Sequence, residues 1–284
     1  MVVVKLKGGL GNQLFQYAFA RAMAIHYSTN SYLDISDYLY DNHRVKRSFD
    51  LNLFDIKSEV IRSIADLKVN FLQSLFRQEA KLNFFKEKTI LYDNQVYDLK
   101  LPIHFDGYWQ SFKYFDFMKA DLQKELVLVS KNTKIQNSYF FRLKLFPSVA
   151  VHIRRGDYVT DEFTNQIHGV CSLEYYLNSI EYFKTKIPNV QFLIFSDDIL
   201  YVKSIFGNVS NYIYVDGLDN HVEEFDLMKQ CDHFIISNST FSWWAAWICS
   251  NEDKEVIAPN RWYKDDDFES KTKDLIPTNW LKKT

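Results

Sequence analysis

The sequence predicts an α/β protein built as two Rossmann-like halves, and three observations carry that prediction. The chain opens as strand, glycine loop and helix. Residues 2–6 are an apolar run, Gly8-Gly9-Leu10-Gly11-Asn12-Gln13 follows, and residues 14–24 place alanines and large apolar residues at helical spacing. From residue 148 onward, strand-like and helix-like stretches alternate, as a parallel sheet with crossover helices requires. The chain has 284 residues, too many for one small core and suited to two domains.

Taken in order, residues 2–6 read as a buried strand and 14–24 as its crossover helix. Only eight glycines occur in the chain, and three of them lie between positions 8 and 11. So scarce a residue gathered in one loop points to positive φ or to close approach of the backbone to something else. The spacing is not G-x-G-x-x-G, so the dinucleotide fingerprint is absent. Residues 58–88 read as helical, 103–109 as a strand ending in a turn, and 114–126 as a helix. Residues 130–147 read as a linker. Strands are then expected at 149–153, 191–196, 212–215, 233–237 and 255–258, and helices at 173–186, 221–231 and 241–249. No solenoid repeat and no low-complexity tract is present.

Composition narrows the class. Hydrophobic residues make up 47 % and charged residues 25 %, as in an ordinary globular protein. Aromatic content is 17 %, a weak hint of sugar-stacking rings. The net charge of −2 argues against a nucleic-acid binder. Three cysteines without a C-x-x-C argue against a disulfide framework and a structural zinc site. The N-terminal apolar run is too short for a signal peptide, and no run approaches the roughly 18 residues of a membrane helix. The expected setting is cytoplasmic, with no stable membrane insertion.

Four motifs could carry chemistry. His152-Ile153-Arg154-Arg155-Gly156-Asp157 follows a predicted strand. Ligands of open α/β sheets sit beyond the C-terminal strand ends, and arginine forks fit phosphate oxygens two at a time. The motif therefore reads as a diphosphate seat, with surface ion pairing as the plainer alternative. His152, beside it, is either a ligand contact or a satisfied core residue. Ser237-Asn238-Ser239-Thr240-Phe241 opens a helix and offers hydroxyls and free N–H groups at its positive end, an anion seat or simply an N-cap. Asp197 and Asp198, at the end of another strand, could accept from a ribose hydroxyl or a base N–H, or cap the next helix. Asp265-Asp266-Asp267 lies in a polar stretch with no strand before it and reads as solvated loop, not as a metal-binding D-x-D. The histidines show no metal-ligand spacing.

With these residues in hand, the chain resembles the α-1,2-fucosyltransferases, glycosyltransferase family 11, of the soluble bacterial type. The family's G-G-L-G-N-Q-x-F-Q-Y-A falls on Gly8 to Ala18 and its G-Y-x-Q-S on Gly107 to Ser111. Its H-x-R-R-G-D-Y-V falls on His152 to Val159, its F-S-D-D on Phe195 to Asp198, and its last block on Leu227 to Trp247.

The resemblance implies a GT-B fold, two Rossmann-like domains facing each other across a cleft. Residues 1–145 would form the acceptor side with the glycine loop, and residues 146–284 would bind GDP-fucose. It implies GDP-β-L-fucose as donor, a galactose-terminated oligosaccharide as acceptor, inversion at the anomeric carbon, and no metal or other cofactor. Arg154 would hold the donor diphosphate as the catalytic cation, with Arg155 and Asp157 in support. His152, Asp197 or Asp198, and Ser239, Thr240 and Phe241 would line the donor's nucleotide end. Gly9, Gly11 and Asn12 would close over the donor sugar, and Gln13 would face the acceptor. In α-1,6-fucosyltransferases the base is a glutamate ten residues after the motif histidine, a spacing at which Glu162 stands here. Asp157, Asp161, His152 and a donor phosphate oxygen are the other candidates for the proton. The rival readings are an α-1,6- or protein O-linked fucosyltransferase, and a non-catalytic sugar-nucleotide-binding protein.

Overall fold

The computed structural model describes residues 1–39, 47–67, 82–129 and 134–284. The chain divides into two compact units: Met1–Val127 with Lys273–Leu275, and Leu128–Thr272 with Ile276–Thr284. This division falls earlier than the expected one at 145/146. The expected linker contains a helix, Lys134–Leu143, that packs in the second unit against the helix His221–Met228. There the Tyr139 hydroxyl donates to the Asp216 carbonyl at 3.1 Å and accepts from the Asp216 N–H at 3.1 Å.

The first unit is built on a five-stranded parallel sheet. Its strands are β1 (Val2–Lys5), β2 (Ser31–Asp34), β3 (Glu59–Ile61), β4 (Asn83–Lys86) and β5 (Ile103–Asp106), in the order β3-β2-β1-β5-β4. The expected helix over 58–88 is corrected at both ends, which are strands β3 and β4; residues 68–81 lie outside the described residues. Both are short edge strands, whose half-exposed faces lack the apolar run that marks a central strand. Helix α1 (Leu10–His26) follows β1 and is buried over most of its circumference. Phe19 stacks on Trp109 with ring centres 4.1 Å apart and meets Phe105 and Tyr114 edge-on. Buried Glu125, on α2 (Lys119–Glu125), pairs with Arg21 at 2.7 Å and accepts from the Tyr17 hydroxyl, so its own charge is not left unpaired inside.

The second unit carries a six-stranded parallel sheet. Its strands are β6 (Ser148–Ile153), β7 (Gln191–Ser196), β8 (Tyr212–Tyr214), β9 (His233–Ile235), β10 (Val256–Pro259) and β11 (Leu281–Lys283), in the order β11-β10-β9-β6-β7-β8. Every residue of β6 is buried, as a central parallel strand covered on both faces must be. Two strand-to-helix stretches escaped the sequence reading. The stretch after the arginines forms two short helices, Gly156–Thr160 and Glu162–His168, and a further helix spans Ile199–Phe206.

In both sheets the chain winds to one side of its first strand and then crosses to the other. The strand order therefore reverses between β1 and β5 in the first unit, and between β6 and β9 in the second. Outside the C-terminal ends of such a strand pair the crossovers diverge and leave a crevice. The glycine loop follows β1, and the arginine motif follows β6, so each motif sits at its own unit's reversal.

Candidate functional site

In the second unit, register alone explains the assembly. Parallel β6 and β7 pair Ile153 with Ser196, so the next residues on each strand, Arg154 and Arg155, lie beside Asp197 and Asp198. Arg154 Nη1 meets Asp197 Oδ2 at 2.8 Å, and its Nη2 donates to Asp157. Arg155 Nε meets Asp198 Oδ2 at 3.1 Å, its backbone N–H donates to Asp197 Oδ1 at 2.9 Å, and its guanidinium lies 3.3 Å over the Tyr201 ring. Both guanidinium groups are thus oriented by several contacts at once, while the Arg154 side chain keeps 21 % of its surface open. A pre-set fork with an open edge suits a dianionic ligand, because little side-chain freedom remains to be lost on binding.

Gly156 is required by this arrangement. A Cβ at that position would lie 2.4 Å from Asp197 Oδ2, inside any tolerable contact. Asp197 and Asp198, expected near the ribose or base, are here the partners of the two arginines. Asp198 also caps helix Ile199–Phe206 through the Tyr201 N–H at 3.3 Å.

On the other side of β6, pairing of Val151 with Ile235 brings the turn after β9 alongside. Ser237 Oγ lies 2.8 Å from His152 Nδ1, and the Phe241 ring centre is 5.5 Å from that of His152. Burial, reinforced by the positive charge of Arg154, pushes the His152 imidazole down to about 3, so it is neutral near pH 7. His152 is thereby both satisfied and next to the arginines. The polar run divides its labour. Asn238 is buried and donates to the carbonyls of His168, Gly169 and Trp262, which is structural work. Ser239 caps the helix Thr240–Ile248 through the Phe241 N–H at 3.4 Å. The Thr240 hydroxyl has no hydrogen-bond partner among the described residues and stands at the positive end of that nine-residue helix.

Of the proton-acceptor candidates, Asp157 is held by Arg154, and Asp161 caps the helix Glu162–His168 through the Thr164 N–H at 2.9 Å. Glu162 stands exposed on the first turn of that helix, with Gln166 at 3.5 Å. Glu224 was missed by the sequence reading. Burial pushes its carboxyl up to about 7, opposed by His221 and reinforced by Asp197 and Asp216. A second glutamate in an amphipathic helix gives no sequence signal that it faces a charged cluster. Asp265 caps a short helix, Asp266–Glu269, so the stretch read as solvated loop is instead a helix start.

In the first unit, Gly8 has φ of 81°, and a Cβ there would fall 2.6 Å from Asn12 Nδ2. Asn12 Oδ1 accepts from Gln110 Nε2 at 2.8 Å, which ties the glycine loop to the Gly107–Ser111 motif. Gln16 adds a second tie, accepting from the Lys7 N–H at 2.9 Å and donating to the Gly107 carbonyl at 3.1 Å. Glu87, also missed, accepts the backbone N–H of Tyr108 and of Trp109, at 2.6 and 3.0 Å. Burial pushes its carboxyl up to about 7 in spite of those bonds.

Gln13, expected to face the acceptor, is fully buried. Its amide donates to the carbonyls of Gly8 and Ser48 and accepts from the Asp50 N–H, so it holds the loop from inside. A Cβ at Gly9 would meet the Arg47 side chain at 3.9 Å, an ordinary contact, and Gly9 precedes α1 without any side-chain cap. Gly11 is buried within α1.

The tryptophans serve the interior, whereas Phe84, Phe117 and Phe163 stand exposed. All six tryptophans are buried, Trp262 at 3 % and Trp280 at 7 % exposed included. Among the described residues, no group of three or more His, Cys, Asp or Glu side chains is placed to hold a metal ion. Among them, too, no helix is long and apolar enough to cross a membrane.

The family model described as glycosyl transferase family 11 matches residues 76–283. The chain belongs to glycosyltransferase family 11. Its relatives include an alpha-1,2-colitosyltransferase of Escherichia coli, 31 % identical over 99 % of this chain and 98 % of that protein. A second, the O-antigen biosynthesis glycosyltransferase WbnK of Escherichia coli, is 30 % identical over 91 % of this chain and 93 % of that protein. A galactoside 2-alpha-L-fucosyltransferase of Mus musculus is 24 % identical, over 89 % of this chain and 65 % of the mouse protein. Among solved structures, POFUT1 in complex with GDP superposes with a TM-score of 0.52 at 15 % identity, over 87 % of this chain and 93 % of that one. A mutant FUT1 of Arabidopsis thaliana in complex with GDP gives 0.50 at 11 % identity, over 99 % of this chain and 75 % of that one. At such identities the likeness is one of fold, and that fold is the GT-B type expected from the family motifs.

Proposed function

We propose that this family 11 chain is a metal-independent galactoside α-1,2-fucosyltransferase. It would transfer L-fucose from GDP-β-L-fucose to the 2-hydroxyl of a terminal β-galactose with inversion. One observation carries the reading: a pre-oriented arginine fork and a helix start with an unpartnered threonine hydroxyl meet at one strand-order reversal. That combination suits a nucleotide diphosphate, and the activities of the family 11 relatives supply the sugar class.

In the proposed displacement, the acceptor hydroxyl attacks the anomeric carbon while GDP leaves from the opposite face. Charge growing on the leaving diphosphate is met by Arg154 and by the helix start at Ser239 and Thr240. Arg155, Asp157, Asp197 and Asp198 hold the fork in place. His152 and Phe241 line the nucleotide end. Gly9 and Asn12, at the start of α1, are assigned to the donor sugar, while Gly11 is buried inside that helix and only packs; Glu162 takes the acceptor proton.

The test is GDP release from GDP-fucose with and without lactose, followed by NMR assignment of the anomeric proton of the product. Release that depends on lactose and an α-(1→2) product support the reading. A product linked to another hydroxyl or to a protein side chain would favour the α-1,6 or protein O-linked rival. Tight GDP binding without any transfer would leave a sugar-nucleotide-binding protein.

The likeness to the alpha-1,2-colitosyltransferase over 99 % of the chain favours a second reading, transfer of colitose. That sugar is fucose without its 3-hydroxyl, and the diphosphate chemistry is unchanged. Parallel assays with the two GDP sugars separate the readings by their kcat/KM ratio.

A further inference from the structure

We propose that the second unit docks on an anionic lipid surface through the turn that leads from helix Lys134–Leu143 into β6. The inference is independent of the transferase reading. Phe141, Leu145 and Phe146 lie within one short stretch and are 65 %, 54 % and 51 % exposed. Three large apolar side chains that close together are costly to leave in water, and scattered exposed residues would not form such a patch.

The patch is held out on a built frame. Buried Gln191, at the start of β7, donates through Nε2 to the carbonyls of Arg142 and Phe146, at 3.0 and 2.9 Å. Its backbone N–H bonds the Pro147 carbonyl at 2.9 Å. The turn therefore cannot fold its apolar side chains back over the sheet without breaking buried hydrogen bonds.

Charge decides the occupant. Exposed Arg142 and Lys144 alternate with the apolar residues, and Lys184 lines a groove together with Phe141, Leu145 and Phe146. Among the described residues no acidic side chain lines that groove, and in sequence none occurs between Glu125 and Asp157. A cationic surface with aromatic and aliphatic side chains at its centre fits the headgroup region of an anionic bilayer. There the rings sit below the phosphates and the cations sit among them. A second copy of this chain would instead bring the same cations face to face.

The experiment is vesicle flotation of the full chain. Vesicles of phosphatidylcholine alone are compared with vesicles containing about a third phosphatidylglycerol; three cations at the surface should give roughly 10²-fold tighter binding to the latter. Binding should weaken on raising the salt. It should be lost in Phe141→Ser with Leu145→Ser and Phe146→Ser, and reduced at least tenfold in Arg142→Glu with Lys144→Glu. Circular dichroism and GDP binding, which these surface changes should leave alone, report that each variant is folded. Equal binding to both vesicle types, binding that survives either variant, or no binding at all overturns the proposal. So does concentration-dependent dimerisation that the serine variant abolishes.

Discussion

Replacing Gly156 with alanine tests whether the Asp197 carboxylate is what sets the arginine fork. The new methyl would lie 2.4 Å from Asp197 Oδ2 and 3.1 Å from its Cγ, so the carboxylate must move by about an ångström to reach ordinary contact. That displacement breaks two charge-assisted hydrogen bonds, to Arg154 Nη1 at 2.8 Å and to the Arg155 N–H at 2.9 Å. Hydrogen bonds to charged groups are worth about 1.5–3 kcal/mol each. The side chains of Arg154 and Asp197 are 21 % and 27 % exposed, so the lower end applies and the pair should lose roughly 2–3 kcal/mol. If half of that loss appears as misorientation of the fork, GDP affinity falls about tenfold.

Calorimetry of GDP binding and urea denaturation measure the two parts, and a double-mutant cycle isolates the cause. Asp197→Ala removes the obstructing carboxylate, so adding Gly156→Ala in that background should cost little. The coupling between the two sites should be about 2 kcal/mol. A Gly156→Ala penalty of the same size with and without Asp197 would refute the steric argument and place the need for glycine in the backbone.

Four further outcomes are expected. Arg154→Lys cannot reach Asp157 and Asp197 together with a single ammonium, so turnover should fall by about 10² or more, and near wild-type turnover in a kcat assay would contradict the assignment. Glu162→Gln should lower kcat by roughly 10²–10⁴ with donor affinity intact; a loss below about tenfold removes it as the base and favours Asp157 or a donor phosphate oxygen. Turnover should persist in excess EDTA; loss of activity that Mn²⁺ or Mg²⁺ restores would overturn the metal-independent mechanism. Acid should destabilise the fold through His152, whose folded value of about 3 lies below the ordinary 6.5. The unfolded chain binds that proton first, so stability from this group is fully present above pH 6.5. It is lost as pH falls towards 3, at up to about 1.4 kcal/mol per pH unit. In urea titrations from pH 7 to 5, His152→Gln should flatten the slope, and an unchanged slope would sink the account.

The sequence by itself determined the strand, glycine loop and helix of the first unit, the central strands of the second, and the family. Those features are local or periodic. Strand β6 is apolar throughout, Gly8 must take positive φ, and the arginines follow a strand directly. Short edge strands such as Glu59–Ile61 gave no such signal, because what makes them strands is hydrogen bonding to β2 rather than their own pattern. The helix Lys134–Leu143 hid in a linker reading for a related reason: its place is set by Tyr139 and by the helix it packs on.

At the candidate sites, tertiary structure decided which of two local readings each residue takes. Asp197 lies forty-three residues after Arg154, and only the parallel register of β6 and β7 shows it to be the arginine's partner rather than a free acceptor. Gln13 and Asn12 are neighbours in one motif. Helix geometry turns Gln13 into the core, where it serves the backbone of Gly8, Ser48 and Asp50, and turns Asn12 towards Gln110. Burial, a property of the whole fold, set the charge state of His152 and raised Glu87 and Glu224, which the sequence left unmarked. Residue type and spacing state what chemistry a side chain can do. Desolvation and register, which depend on residues far away in the chain, determine which of those options it adopts.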